Sequence, residues 1–275
     1  MTTPDHSAAT AALITSARLD GRLLGDLGDQ GRPPTELAAY RVQAIAHGLL
    51  ESAGFGRQAG WKIGCTTKVM QAYLGIGTPC AGAMFAANVW QGQHAFPVPA
   101  AGRLGVECEI AVRMGRDLPR REQAYEPADM PGAVAASMAA IEVVADRYVD
   151  YPSLDTPTLI ADDFFHHACV LGPQRESRPP ESLRPESLRE VTGAMTINGR
   201  EVGRGVGTDI LGDPLVVLCW LANSCAAWGT PLLAGDVILL GSLVQTQWVK
   251  AGDVVAVTNA PLGEVAAEFV PPDPR

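Results

Sequence analysis

Two glutamates, Glu107 and Glu109, lie two residues apart in the segment Gly105–Met114, which reads GVECEIAVRM. Apolar residues occupy every second position of this segment from 106 to 114, which is the period of a β-strand with one apolar face. The two glutamates therefore share the opposite face, where their charges repel each other unless a cation lies between them. An isolated E-x-E pattern is most often a solvated strand face. The alternative is half of a divalent-metal site.

Two further segments carry residues that suit such a site. Glu142 lies within the apolar run AAIEVVA, and a carboxylate buried there needs a cation. Lys62 lies in GWKIGCT, a short strand-like segment between glycines. Its ammonium group either reaches solvent, which is usual for lysine, or faces a cleft. In a cleft, desolvation or a nearby cation lowers the lysine pKa towards a proton-transfer role.

A fourth segment, LIADDFFHHACVLG, contains Asp162 and Asp163 followed by His166 and His167. Neighbouring residues on a strand face opposite ways, so at most one of each pair reaches a given site. A strand with one wet face explains the histidines equally well. His47, alone in a predicted helix, receives no role.

The composition limits the classes of partner. The chain has 275 residues, 47% of them hydrophobic, and a net charge of −9, which indicates a globular protein. Nucleic acids and acidic membranes require clustered Lys and Arg, so both are excluded as expected partners. An anionic small molecule needs a local cation here, either a bound metal or a buried lysine.

The six cysteines form no C-x-x-C pair and several lie in apolar runs, which favours buried free thiols in a reducing compartment. The N-terminus has no basic start before its weak apolar patch, unlike a signal peptide. The longest apolar run, Leu215–Ala222, is far shorter than a membrane span. A cytoplasmic protein is therefore expected.

The N-terminal part is predicted to be helical. One helix is expected over residues 7–26 and a second from an N-cap at Thr35 to Gly54, with an apolar stripe of Leu37, Tyr40, Ala44 and Leu49. The Gly- and Pro-rich segment Leu74–Phe85 is predicted to be a loop. A third helix is expected from Pro131 to Tyr151, with Glu142 near its end or in the strand that follows.

The C-terminal half is predicted to be mostly β. Asn198-Gly199 is a strong hairpin signal, and two AGD turns each precede a strand. Pro214 opens a helix that ends at Trp228 before Gly229. The tandem PESLR repeat within 173–190 is expected to be an exposed linker. We therefore predict an α+β fold, with a helical region over residues 1–60 and a β-rich catalytic domain over 61–275 that forms one unit with it.

Taken in order, these segments resemble the fumarylacetoacetate hydrolase superfamily, in its 2-oxopent-4-enoate hydratase and 4-oxalocrotonate decarboxylase branch. The matching stretches are GWKIG (60–64), LGIGTPCAGAMF (74–85), VECEIAVRMGRDLP (106–119), IEVVADR (141–147), IADD (160–163), GDPL with the helix after it (212–222) and GDVILLGS (235–242).

The resemblance implies a β-rich fold around a Mg²⁺ or Mn²⁺ ion held by three carboxylates, which correspond to Glu107, Glu109 and Glu142. It also implies an active-site lysine at Lys62 and an aspartate at Asp162, with Gly241 and Ser242 lining the substrate pocket. His166 is a further candidate there, as a replacement proton carrier. Such relatives act on 2-oxo acids and are usually homo-oligomers.

The implied reaction is hydration of a 2-hydroxy-2,4-dienoate from aromatic catabolism to a 4-hydroxy-2-oxo acid. In this reaction the metal stabilises an enolate of the 2-oxo acid. The same stabilisation also serves a 2-oxo-3-enedioate decarboxylase or an acylpyruvate-type C–C hydrolase. A non-catalytic partner subunit is disfavoured because Lys62 and all three glutamates are present. Two departures bear on the substrate: Cys80 stands where the branch has an aspartate, and Asp163 and Phe165 stand where it has an amide and a small polar residue.

Overall fold

The computed structural model describes residues 6–177 and 184–272. Its α-helices are α1 (Ser7–Leu19), α2 (Gly28–Gly31), α3 (Glu36–Leu50), α4 (Lys68–Leu74), α5 (Thr156–Ala161) and α6 (Pro214–Trp228). Its strands are β1 (Gln58–Gly64), β2 (Cys80–Phe85), β3 (Val89–Gln91), β4 (Gln93–Pro97), β5 (Arg103–Met114), β6 (Val134–Asp146), β7 (His166–Leu171), β8 (Arg175–Glu176), β9 (Thr192–Ile197), β10 (Arg200–Val206), β11 (Val237–Ser242), β12 (Gln247–Val249), β13 (Val254–Ala260) and β14 (Gly263–Val270).

The strands form two sheets. The larger sheet has the order β2-β1-β11-β5-β6-β7-β3, with β12 paired to β5 and β8 to β6. The smaller sheet has the order β10-β9-β13-β14-β4. The apolar face of β5 shares one hydrophobic core with the smaller sheet and with α6. The predicted α+β class is confirmed.

Strand β5 shows the predicted alternation. Val106, Cys108, Ile110, Val112 and Met114 are all fully buried in that shared core. The opposite face carries the glutamates.

Two predicted helix boundaries are confirmed by their caps. The Thr35 hydroxyl accepts a hydrogen bond from the Ala38 N–H at 3.2 Å, and the Asp213 carboxylate accepts one from Leu215 N–H at 2.8 Å. Gly229 ends α6 with φ +85°, the left-handed conformation that glycine adopts most readily. The hairpin at Asn198-Gly199 is confirmed as well, because β9 and β10 pair across it.

The predicted stripe on α3 is wrong. Leu37 and Leu49 are exposed, whereas the buried residues are Ala39, Val42, Gln43, Ala46, His47 and Leu50. Small side chains suit the close approach of α1 and α5 to this face. The Gln43 amide donates to the backbone oxygens of Ala81 in β2 and Ile160 in α5, so α3 is joined to the β-rich part of the chain.

Three other sequence-based expectations are wrong. The first helix ends at Leu19, before Gly21 at φ +62°. The segment 131–151 is not a helix: a short turn at 131–133 leads into β6, a central strand buried on both faces, whose small apolar residues mimic a helical pattern. The predicted loop at 74–85 contains β2, in which every residue is buried.

The first PESLR copy lies mostly outside the described residues. The second forms a short 3₁₀-helix, Pro185–Glu190, in which Leu188 is buried, so this copy is not a simple exposed linker. Within residues 6–177 and 184–272, no helix has both the length and the apolar character needed to cross a membrane.

Candidate metal centre

The three glutamates meet because of the pairing of β5 with β6. Glu107 and Glu142 are direct cross-strand partners, and Glu109 lies two residues along on the same face of β5. One carboxylate oxygen from each lies within 4.8 Å of the others. Glu109 and Glu142 are buried, and Glu107 is partly buried. A solvated strand face is therefore excluded for this E-x-E pair.

The donor set fits a hard divalent cation. Glu109 Oε1 and Glu142 Oε2 are buried, and neither has a hydrogen-bond partner among the described residues. Buried carboxylate oxygens without a partner are costly, and a dication surrounded by oxygen ligands would satisfy them. Three carboxylates against one ammonium group also leave the site short of positive charge. Oxygen-only donors favour Mg²⁺, Mn²⁺ or Ca²⁺ over softer metals.

The carboxylates affect one another's titration. Burial raises the pKa of Glu109 well above its usual range, and the charges of Glu142 and Glu107 raise it further. Burial and the charge of Glu142 also raise the pKa of Glu107. Burial acts the same way on Glu142, but the Lys62 ammonium and a hydrogen bond from His166 outweigh it, so its pKa is lowered. Glu142 is thus the charged anchor of the cluster.

Lys62 lies at this cluster. Strand β11 separates β1 from β5 in the sheet, and the Lys62 Nζ is 3.3 Å from Glu142 Oε1. The residue is 2% exposed, which excludes the solvent-reaching alternative. Burial lowers the lysine pKa, but the three glutamates outweigh it and the pKa is raised. Lys62 is therefore an ammonium ion in this charge set, and its proton-transfer role stays a prediction.

Gly241 supports a glutamate. Its N–H donates to Glu109 Oε2 at 2.7 Å, at an irregularity in the pairing of β11 with β5. Its φ is +129°, and a Cβ atom there would lie 2.4 Å from Thr66 Oγ1. Only glycine fits this position without strain.

Ser242 uses its hydroxyl within the sheet. The Oγ accepts from the Cys108 N–H at 3.0 Å and donates to the Val244 carbonyl at 2.7 Å. Substrate contact by Gly241 and Ser242 stays a prediction, because the polar groups described here bind protein atoms.

His166 lies at the centre, and it is His167 that is exposed. The His166 Nδ1 is 2.8 Å from Glu142 Oε1, and Nε2 is buried without a partner among the described residues. Burial lowers the pKa of His166 despite the neighbouring Glu142, and Lys62 adds to that lowering. A neutral imidazole that donates from Nδ1 to Glu142 leaves the Nε2 lone pair free. The surface alternative for this histidine is therefore wrong.

Asp162 does not join the cluster. Its Oδ1 accepts from Arg18 Nε at 2.7 Å, and its Oδ2 accepts from Arg147 Nε at 2.6 Å and from the Tyr148 hydroxyl at 2.9 Å. Both carboxylate oxygens are therefore occupied by donors from the protein itself. Asp162 is a counter-ion to Arg18 and Arg147 in this structure, and its catalytic role stays a prediction.

Sequence reasoning missed several residues around the centre. Thr246 donates a hydrogen bond to Glu107 Oε1, and no pattern in the sequence marks it. Arg18 and His47 both bind the Asp163 carboxylate, at 2.8 and 2.7 Å. His47 lies on the buried face of α3 and not on the stripe predicted from the sequence, so no sequence signal marked it as a polar side chain in need of a partner.

The comparison with known families agrees with this geometry. The C-terminal family model of fumarylacetoacetate (FAA) hydrolase matches residues 78–270. The chain belongs to the fumarylacetoacetate hydrolase family. The match includes all three glutamates, whereas Lys62 precedes it.

Two relatives that match over nearly their whole length are hydratases. The chain is 34% identical to the 2-keto-4-pentenoate hydratase of Burkholderia vietnamiensis over 269 residues, which is 98% of this chain and 99% of that one. It is 30% identical to the 2-hydroxyhexa-2,4-dienoate hydratase of Comamonas testosteroni over 258 residues, 93% and 94% of the two chains.

Among solved structures, the chain is similar to the 4-oxalocrotonate decarboxylase from Pseudomonas putida G7, complexed with magnesium and adipate. The TM-score is 0.86 with 26% identity over 98% of this chain and 99% of that one. A fumarylpyruvate hydrolase from Pseudomonas aeruginosa, in complex with Mn²⁺ and pyruvate, shares the fold at a TM-score of 0.57 and 13% identity, covering 78% and 90% of the two chains.

Proposed function

We propose that this chain is a divalent-metal-dependent hydratase, a lyase that adds water to a 2-hydroxy-2,4-dienoate from aromatic catabolism and yields a 4-hydroxy-2-oxo acid. The observation that carries the proposal is the convergence of Glu107, Glu109 and Glu142 beside Lys62, with two buried carboxylate oxygens left free. Similarity to hydratases at 30–34% identity over nearly the whole chain supports the same reaction class.

The three glutamates would hold Mg²⁺ or Mn²⁺. When bound, either ion would act as a Lewis acid towards a 2-oxo acid and would stabilise negative charge on its keto oxygen. Glu142 is held by Lys62 and His166, and Glu109 by the Gly241 N–H. These supports keep the carboxylates in place whether or not substrate is present.

The residues must also move protons. The dienol loses its hydroxyl proton and gains one at C5, after which water adds at C4 and C3 receives a proton. Lys62, charged and shielded from solvent, is placed to donate a proton and then to accept one as the amine. His166 Nε2, which has no hydrogen-bond partner among the described residues, is a further basic atom beside the cluster. Substrate contacts by His166, Gly241 and Ser242 remain part of this proposal.

A direct assay tests the reaction. Purified protein loaded with Mg²⁺ or Mn²⁺ should consume 2-hydroxypenta-2,4-dienoate, followed as loss of the dienol absorbance, and a chelator should stop the reaction. Mass spectrometry should show a product heavier by one water. Persistence of the dienol with both metals would reject the hydratase assignment.

One observation favours a second candidate. The structural similarity to 4-oxalocrotonate decarboxylase spans nearly the whole chain. Decarboxylation of a 2-oxo acid also needs stabilisation of negative charge on the keto oxygen. Release of CO2 from 2-oxohex-3-enedioate, without water addition to the dienoate, would assign the chain to that reaction. Activity on neither substrate, together with tight binding to another family member, would indicate a partner subunit.

Location and assembly complete the proposal. All six cysteines are free and buried, which supports a reducing compartment such as the cytoplasm. A homo-oligomer is expected, and sedimentation analysis of the purified protein would test it.

A further inference from the structure

The turn Asp163–Phe165, immediately before β7, has an unusual backbone. Its three residues have φ values of +55°, +48° and +68°, and none is glycine. Left-handed conformations are unfavourable for residues with side chains, above all bulky ones, and persist only where surrounding contacts enforce them. Three in succession indicate that the surroundings hold this turn in place.

The contacts that hold the turn converge on Asp163. Its carboxylate accepts hydrogen bonds from Arg18 Nη1 at 2.8 Å and the Ala83 N–H at 2.9 Å, and it lies 2.7 Å from His47 Nε2. The residue is 2% exposed. Helices α1 and α3 and strand β2 are thus joined at one buried side chain. None of these contacts belongs to the metal centre.

The turn also lies directly against strands β1 and β2, of which β1 carries Lys62. A Cβ atom on Gly82 would lie 2.6 Å from the Asp163 carbonyl oxygen, and one on Gly64 would lie 3.0 Å from the Phe164 ring. Gly82 is the cross-strand partner of Lys62. Two glycines therefore allow an approach that other residues would block.

This approach places the Phe164 ring over Lys62. The Lys62 Nζ lies 5.2 Å from the ring centroid, within cation–π range, and 3.3 Å from Glu142 Oε1. Phe164 is 8% exposed. The ammonium is thus held between a carboxylate and an aromatic ring.

We propose that Phe164 is a positioning residue for Lys62, and that the Asp163 contacts hold the ring in place. The ring keeps the ammonium oriented towards the metal centre and excludes water from it. The proposal rests on the proton-transfer role of Lys62 in the proposed function. It gives the strained turn with its two phenylalanines a role beside the reacting groups.

Phe165 provides a matched control. It belongs to the same left-handed turn, and its ring lies against Tyr148 and Tyr151, with centroid distances of 5.2 and 5.7 Å, and against the edge of the Phe164 ring at 5.6 Å, but not over Lys62. Phe165→Leu therefore removes an aromatic ring from the turn without removing the ring over Lys62.

Progressive fluorination of the ring at position 164 tests the proposal, because fluorine weakens the π-system while nearly preserving its shape. We expect kcat to fall stepwise from phenylalanine to the trifluorinated analogue, by about three- to thirtyfold in total, with little change in KM. Phe164→Leu should show at least the full decrease. Phe165→Leu should retain kcat within about twofold.

Unchanged kcat across the fluorinated series would overturn the proposal. An equal loss of kcat in Phe165→Leu would also overturn it, since the turn rather than the ring would then matter. Metal affinity measured by calorimetry should be the same in all variants.

A second readout does not depend on turnover. In the metal-free protein, the Lys62 ammonium protons should show a ring-current shift in ¹H–¹⁵N spectra, absent in Phe164→Leu and present in Phe165→Leu. If the wild-type protein fails to hydrate the dienoate but shows this shift, the proposed function fails while the contact with Phe164 stands. If the shift is absent from the wild-type protein, the positioning role is excluded.

Discussion

Glu107 on β5 and Glu142 on β6 are direct cross-strand partners, so their carboxylates project side by side from one face of a central sheet. Backbone hydrogen bonds of the β5–β6 ladder set this spacing, which makes it more rigid than a site built on loops. Glu109 follows two residues later on the same face. Two strands thus place three candidate ligands with little conformational freedom left to lose if a cation binds.

Glu109→Gln should abolish metal-dependent activity and weaken metal binding by at least about 100-fold, since it removes an anionic ligand. The amide oxygen can still accept the Gly241 N–H, so the fold should persist. Calorimetry with Mn²⁺ and circular dichroism measure the two effects. Glu122→Gln, at an exposed glutamate, is the matched control. Wild-type metal affinity in Glu109→Gln would exclude a ligand role.

Lys62→Met should lower kcat by about 10²- to 10⁴-fold, the range for loss of a general acid or base. Methionine fills similar volume without charge, and the loss of an ammonium beside Glu142 removes a competitor for a dication. Metal affinity should therefore be equal or higher. Steady-state kinetics and calorimetry measure both. Lys68→Met, at an exposed lysine, should behave as wild type; a Lys62→Met enzyme with normal turnover would rule out proton transfer by Lys62.

Gly241→Ala should destabilise the fold by about 1–3 kcal/mol, because the new Cβ would press on Thr66 in a backbone conformation unfavourable to alanine. Displacement of the Gly241 N–H should also weaken metal binding through Glu109. Gly48→Ala in α3 has open space around it and should be neutral or slightly stabilising. Thermal unfolding and calorimetry check the pair. Equal behaviour of the two variants would contradict the steric argument.

Stability should fall in acid partly through Asp163. Burial alone would raise the pKa of this carboxyl, but His47 and Arg18 outweigh it and hold the pKa well below its usual range. The folded state therefore binds the proton less readily than the unfolded state, whose pKa is about 3.9. The stabilisation is present above that value and is lost as the pH falls below it, by up to about 1.4 kcal/mol per pH unit.

Urea unfolding at a series of pH values between about 2 and 6 measures this slope. Asp163→Asn should be less stable at neutral pH and show a shallower acid dependence. Asp150→Asn, at an exposed aspartate, should keep the wild-type slope. Identical slopes in Asp163→Asn and wild type would contradict the assignment.

The sequence predicted correctly those elements that are determined by residues close together in the chain. The alternation in β5, the cap at Thr35 and the hairpin at Asn198-Gly199 each depend on residues close together in sequence. The prediction for β6 was wrong because a strand buried on both faces shows no alternation of apolar and polar residues, and its alanines favoured a helix.

Some residues of the candidate site could be predicted from the sequence and others could not. Spacing and apolar surroundings marked the three glutamates and Lys62 as candidates, and the resemblance to a family joined them into one site. The partners of Asp162 and Asp163 could not, because Arg18 is 144 and 145 residues away and no periodicity reports such a pairing. His47 and Thr246 gain their significance only from the tertiary fold.

The contact of Arg18 with Asp162 and Asp163 has a consequence for how the chain can be shortened. Helix α1 lies outside the segment that the family model covers, and a minimal catalytic fragment could be drawn without it. Such a fragment would lack Arg18, one of the cations that bind the buried carboxylates of Asp162 and Asp163. The turn that carries Phe164 would then be held less firmly. Removal of helix α1 by proteolysis or truncation should therefore lower activity, even though all three glutamates remain in the chain.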